Sequence, residues 1–137
     1  MPVDDAYIRQ AAVVPFRNGR VCLVTSRSGK RWVIPKGLID PGQTAGEAAL
    51  QEAWEEAGLT GTIDPEPVGS YLYDKYGGVC HVTVFAMQVA EVAQDWPERD
   101  QRQRSFFSVR GALARITDPG VADVIRAATE STVLARV

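Results

Sequence analysis

The sequence predicts an α/β domain built on a mixed β-sheet, on three observations. Its 137 residues are 45% hydrophobic, an ordinary domain length with enough apolar material for a core. Apolar runs bounded by turn signals fall in two groups, before and after one helical pattern. Two more helical patterns close the chain. Strands, one helix, strands and then helices is not the order of a repeated βαβ fold.

Residues 1–6 read as a loose end. Ile8 to Phe16, with the unbroken run Ala11–Val14, reads as a buried strand. Asn18-Gly19 is a two-residue turn signal that joins it to Val21–Thr25 as a hairpin. Arg31 to Ile34 is a third short strand, stopped by Pro35. Pro35 to Gly42 is punctuated by prolines and glycines and is predicted to be a loop. Thr44 to Ala57 is the clearest helix: Thr44 N-caps it, Glu47 completes a capping box, alanines fill it, and Gly58 suits the C′ position. Val68–Tyr76 and Val79–Val92 are strands joined by a hairpin at Gly77-Gly78. Ala93 to Arg104 is polar and reads as irregular, Phe106-Phe107 as a last short strand, and Val109–Ile116 and Val121–Thr132 as helices.

Fifteen Lys and Arg against seventeen Asp and Glu give a net charge of -2, which excludes a generally polycationic nucleic-acid binder. Cys22 and Cys80 form no CxxC pair and are expected to be reduced thiols of a cytoplasmic protein. No apolar run reaches the roughly 18 residues of a membrane span. The first ten residues lack a leader's apolar core.

The chemistry is expected on the acidic helix. Glu52, Glu55 and Glu56 stand at i, i+3 and i+4, so they share one face. No Lys or Arg lies between Thr44 and Gly58, and the C-terminal end of a helix disfavours anions. A hard divalent cation such as Mg²⁺ is the natural compensation, since it takes oxygen ligands and bridges to substrate phosphates. A solvated acidic face is the competing reading. The preceding loop favours the cation: Gly37 and Gly42 let backbone approach the carboxylates, so that a carbonyl near Lys36 or Gly37 can join them.

Gly37 through Gln43 and Gln51-Glu52-Ala53-Trp54-Glu55-Glu56-Ala57-Gly58-Leu59 together resemble the Nudix box, G-x5-E-x7-R-E-U-x-E-E-x-G-U with U aliphatic. The spacing and the E-x-x-E-E core agree. Gln43 replaces the family glutamate, Gln51 replaces the arginine, and Ala53 is smaller than the usual aliphatic. A hydrogen bond between the two glutamines is expected to stand in for the missing ion pair. Arg31–Gly37, Gly69–Tyr71 with Tyr73 and Lys75, Val82–Phe85, Asp95–Glu98 followed by Gln101-Arg102, and Phe106-Phe107 are similar to diphosphoinositol polyphosphate and diadenosine polyphosphate phosphohydrolases. The resemblance implies one Nudix-type α/β/α sandwich over residues 1–137, with the box at 37–59. It implies a Mg²⁺-dependent hydrolase, with Mn²⁺ as an alternative ion, that cleaves a phosphoanhydride in a nucleoside-diphosphate-linked or related polyphosphate. Dinucleoside polyphosphates and diphosphoinositol polyphosphates are the expected substrates. ADP-ribose or nucleoside triphosphate pyrophosphatase activity, or an inactive nucleotide-binding module, are the alternatives.

By the same resemblance, Glu52, Glu55, Glu56 and the Lys36 carbonyl hold the metal, and Glu55 with Glu52 carries catalysis, Glu55 as general base. The candidates for substrate phosphates are Arg27, Lys30, Arg31, Lys36 and Lys75, three of them packed into Ser26–Arg31. A solvated turn is the competing reading of that segment. Glu47 is expected to cap, Glu98 to be a surface carboxylate ahead of a late ligand, His81 to be structural, and Trp32 and Trp54 to be core. Tyr71 and Tyr73 share a strand face and either stack on a base or pack. Arg99, Arg102 and Arg104 either bind a distal group or keep their loop soluble. No membrane or nucleic-acid partner is expected.

Overall fold

A computed structural model describes residues 6–135; the expected loose end, 1–6, lies almost entirely outside them. Two long strands form a parallel spine. β1 (Tyr7–Arg17) runs beside β7 (Gly78–Val92), in register from Tyr7 opposite Val79 to Phe16 opposite Gln88. The chain turns at Asn18-Gly19, both at positive φ (53° and 75°), into β2 (Arg20–Thr25). This is the hairpin read from the sequence, because a primed turn needs residues that tolerate the left-handed region. β2 also pairs with β3 (Trp32–Val33) and β8 (Arg104–Ser108). Beyond β7 lie β6 (Gly69–Lys75), on its first half, and β5 (Leu59–Ile63), on its second.

Three expectations need correction. Pro35–Gly42 is not all loop: β4 (Lys36–Leu38) pairs antiparallel with Gln10–Ala12 of β1. β5 begins directly after Gly58, where no strand was expected; Gly61 interrupts its apolar pattern and marks a bulge in the pairing with β7. A Cβ at Gly61 would run into the Gln88 carbonyl, so the close approach requires glycine. The later hairpin turns at Tyr76-Gly77, both at positive φ, with Gly78 already inside β7.

Side chains of β1 alternate between two cores, as strand geometry demands. Ala11 and Val13 face Ala48, Ala49, Ala53 and Ala57 of α1 (Ala45–Ala57). Ala12, Val14 and Phe16 face the other side, with Ala112 of α2 (Val109–Arg115) and Val124, Ile125 and Ala128 of α3 (Pro119–Ala135). The result is the expected α/β/α sandwich on an eight-stranded mixed sheet. An alanine face lets α1 lie close on the sheet and leaves its glutamates on the flank above β4. Trp32 is only partly in the core: it packs edge-on against Phe107 and is half-buried, its other side lining a pocket. Trp54 is not a core residue: it is 39% exposed, because the buried stripe of α1 runs through the alanines.

Candidate active site

Thr44 caps α1 as the sequence predicts. Its hydroxyl accepts from Glu47 N at 3.1 Å, and the Glu47 carboxylate accepts from Thr44 N at 2.8 Å. Glu47 is therefore a cap and stands apart from the site. Gly58, at φ 65°, ends the helix in the left-handed conformation. Fixed at both ends, α1 presents Glu52, Glu55 and Glu56 to a cleft of about 490 Å³.

Each carboxylate is held differently. Glu56 is buried; one oxygen accepts from Lys36 N at 3.3 Å and the other from the Arg102 guanidinium at 3.2 Å. Burial pushes its carboxyl up to about 7, with Arg102 pulling the other way. Glu55 accepts from the Gln51 amide at 2.9 Å. Glu52 has no cation within 4.0 Å among the described residues. Burial, then the charges of Glu56, Glu55 and Glu98, push its carboxyl up to about 8. The Glu52 carboxylate also occupies the space a Cβ on Gly37 would need. Gly37 is therefore required for close approach, as its place in the box suggests.

Compensation for this acidic face comes partly from the protein itself, which the sequence reading did not anticipate. Arg102, whose side chain is 8% exposed, bonds Glu56, Glu98 (2.9 Å) and the Thr25 carbonyl (2.9 Å). Arg104 donates to the Ala57 and Ala93 carbonyls, both at 2.8 Å, and lies over the Trp96 ring. It thereby caps a helix end that carries no basic residue of its own. Neither arginine is a free surface charge, whereas Arg99 is exposed and pairs only with Asp95 among the described residues. Glu98 is also corrected: it lines the cleft at 15% side-chain exposure, paired with Arg102 and, at 3.7 Å, with Arg27.

Of the expected phosphate ligands, Arg27, Arg31, Lys36 and Lys75 line the cleft; Lys30 does not. Lys36 sits over the Tyr73 ring at 5.1 Å, and burial lowers its ammonium pKa. Tyr71 is buried in the core, while Tyr73 lines the cleft and donates to Gln10 at 2.6 Å. Gln10 was missed by sequence reasoning: a buried amide in an apolar strand was the available signal. His81 lies tilted against the Tyr7 ring and is not among the cleft residues. A second pocket of about 230 Å³ adjoins the cleft across Arg31, Lys36, Tyr73 and Lys75. Trp32, Ile34, Ile116 and Val121 give it an apolar wall, and Asp74, Thr117 and Asp118 line it as well.

Among the described residues, no three or more acidic, histidine or cysteine side chains converge closely enough to hold a metal ion by themselves. The donor chemistry nonetheless fits a hard cation. Glu52 is a half-buried carboxylate repelled by three others, with no cation in contact among the described residues, beside the Gly37 backbone.

The NUDIX domain family profile matches residues 6–127. The chain is 38% identical over 101 residues to Nudix hydrolase 12, mitochondrial, of Arabidopsis thaliana, covering 68% of this chain and 50% of that protein. It is 32% identical over 116 residues to diphosphoinositol polyphosphate phosphohydrolase 3-beta of Bos taurus, covering 80% of this chain and 69% of that protein. It thus spans only about half the length of some curated relatives. Among solved structures, a C. elegans Ap4A hydrolase binary complex superposes with a TM-score of 0.73 at 21% identity, over 95% of this chain and 99% of that one, a likeness of fold. With a capped helix, a glycine pressed against its glutamate, and a family profile running through nearly every element described, this chain belongs to the Nudix family.

Proposed function

We propose that the chain is a divalent-cation-dependent hydrolase that opens a phosphoanhydride in a nucleoside-linked polyphosphate, a dinucleoside polyphosphate above all. One observation carries this reading: the α1 carboxylates and four basic side chains line a single cleft, beside a pocket with an apolar, aromatic wall. Glu52, Glu55, Glu56 and the Lys36 carbonyl are the groups that would hold Mg²⁺ or Mn²⁺. When bound, such an ion neutralises phosphate charge and acidifies water. Glu55, steadied by Gln51, accepts the proton of the attacking water. Arg27, Arg31, Lys36 and Lys75 bind phosphate oxygens, the arginines as forks and the lysines as point charges. The neighbouring pocket takes a planar base against Trp32 and Tyr73.

An inositol pyrophosphate is the second reading, favoured by the relatives named for that substrate. The apolar wall argues against it, because such a ligand offers phosphates and no planar apolar group. A phosphate-release assay with Mg²⁺ across a dinucleoside tetraphosphate, a diphosphoinositol polyphosphate, ADP-ribose and nucleoside triphosphates tests the proposal. The dinucleoside substrate is expected to show the highest kcat/KM. Preference for ADP-ribose or a triphosphate overturns the substrate. Binding with no turnover on any member overturns the hydrolase in favour of a binding module. No helix among the described residues is long and apolar enough to cross a membrane. Cys22 and Cys80 are buried and unbonded, which fits a reducing compartment, and the cytoplasm is proposed.

Gly37→Ala tests the geometry directly. The new methyl displaces the Glu52 carboxylate, a movable side-chain end, so stability changes little. Activity is expected to fall about 100-fold, as misplacement by an ångström does. A variant with wild-type kcat would show that the position of Glu52 does not matter.

A further inference from the structure

We infer that Gln43 and Gln51 form a one-way amide relay that orients Glu55, which makes Gln51 a positioning residue for the reaction proposed above. Three hydrogen bonds run in series. Asp40 N donates to Gln43 Oε1 at 3.1 Å, Gln43 Nε2 to Gln51 Oε1 at 2.6 Å, and Gln51 Nε2 to Glu55 Oε1 at 2.9 Å. The polarity is set at both ends. A backbone N–H only donates, so Gln43 must turn its oxygen to Asp40 and its nitrogen to Gln51. A carboxylate only accepts, so Gln51 must turn its nitrogen to Glu55 and its oxygen to Gln43. One amide orientation satisfies all three contacts; reversing either amide sets donor against donor or acceptor against acceptor. The relay ties the loop before α1 to the carboxylate on its third turn without adding a charge.

Donor counting then makes an unusual demand on substitutions. Gln43→Glu alone turns a carboxylate toward Gln51. Gln51 must either face it with oxygen or flip and face Glu55 with oxygen. Gln51→Arg alone sets a guanidinium against the Gln43 NH₂, and flipping Gln43 sets that NH₂ against Asp40 N. Together the two changes are compatible. The carboxylate introduced at position 43 would accept from Asp40 N and from the guanidinium introduced at position 51. That guanidinium would donate onward to Glu55. Each single variant is therefore broken and the double is repaired.

The test is a double-mutant cycle on the full chain, reading kcat and KM separately at saturating Mg²⁺, with side-chain ¹⁵N relaxation of Gln43 and Gln51 in the wild type. Each single variant is expected to lose about 3- to 10-fold in kcat, the scale of one ordinary hydrogen bond at an exposed position. KM should stay within about 2-fold and the double variant should recover to within about 3-fold of wild type. Losses that simply multiply in the double, or that fall on KM, overturn the relay. If the chain turns over no phosphoanhydride, the hydrolase reading fails separately and relaxation decides: ordered side-chain amides, with order parameters near those of rigid backbone, uphold the relay, and values below about 0.6 overturn it.

Discussion

Glu52→Gln is expected to lower kcat by about three orders of magnitude, the several kcal/mol that a lost charge beside a reacting phosphate represents. The fold should survive, and without divalent ions it should melt higher than wild type near pH 8. Burial first, and then three neighbouring carboxylates, push the Glu52 carboxyl from 4.5 to about 8. A carboxyl raised on folding stabilises the folded chain while it is protonated. That contribution is full below 4.5 and is lost as pH rises to about 8. A neutral glutamine does not suffer that loss. Added Mg²⁺ should raise the wild-type melting temperature near pH 8 and raise that of the variant much less. Equal Mg²⁺ shifts in the two proteins, measured by scanning calorimetry, would remove Glu52 from the ion's ligands.

The second large effect is on stability. Arg102→Ala is expected to cost about 3–5 kcal/mol, since it leaves the buried Glu56 and the largely enclosed Glu98 without their shared cation. For a chain of this size that is a fall of about 10–20 °C in melting temperature. The loss should be greater near pH 8 than near pH 5. Arg102 is the largest influence holding the Glu56 carboxyl down against burial. Without it that carboxyl rises further, and the folded chain must then carry a costlier charge in alkali. Thermal melts across pH check this, and a variant that melts within a few degrees of wild type at both ends would show the network to be surface decoration. Arg99→Ala, at an exposed ion pair, should change little.

Much of this fold is legible in the sequence because its determinants are local. The Thr44–Glu47 capping box, the Gly58 stop and the Asn18-Gly19 turn each rest on two to four neighbouring residues, and all appear as read. The carboxylate face needed only helical spacing. The missed elements are those whose pairing partners are distant in sequence. β4 exists because Gln10–Ala12 lies open beside it, and β5 because the far half of β7 does. Neither segment carries enough alternation to declare itself.

By itself the sequence determined a capped acidic helix, a glycine-bearing loop before it, apolar strands for two cores, and three glutamates aimed one way. Only the tertiary structure decided how those charges are tolerated. The absence of any lysine or arginine on α1 reads in one dimension as a demand for a metal ion. In three dimensions Arg102 and Arg104, nearly fifty residues downstream, reach Glu56 and the helix end, while Glu52, wedged against Gly37, has no cation in contact among the described residues. Charge compensation acts over ångströms of space and not over positions in a chain, so its partners become visible only when the sheet brings them together.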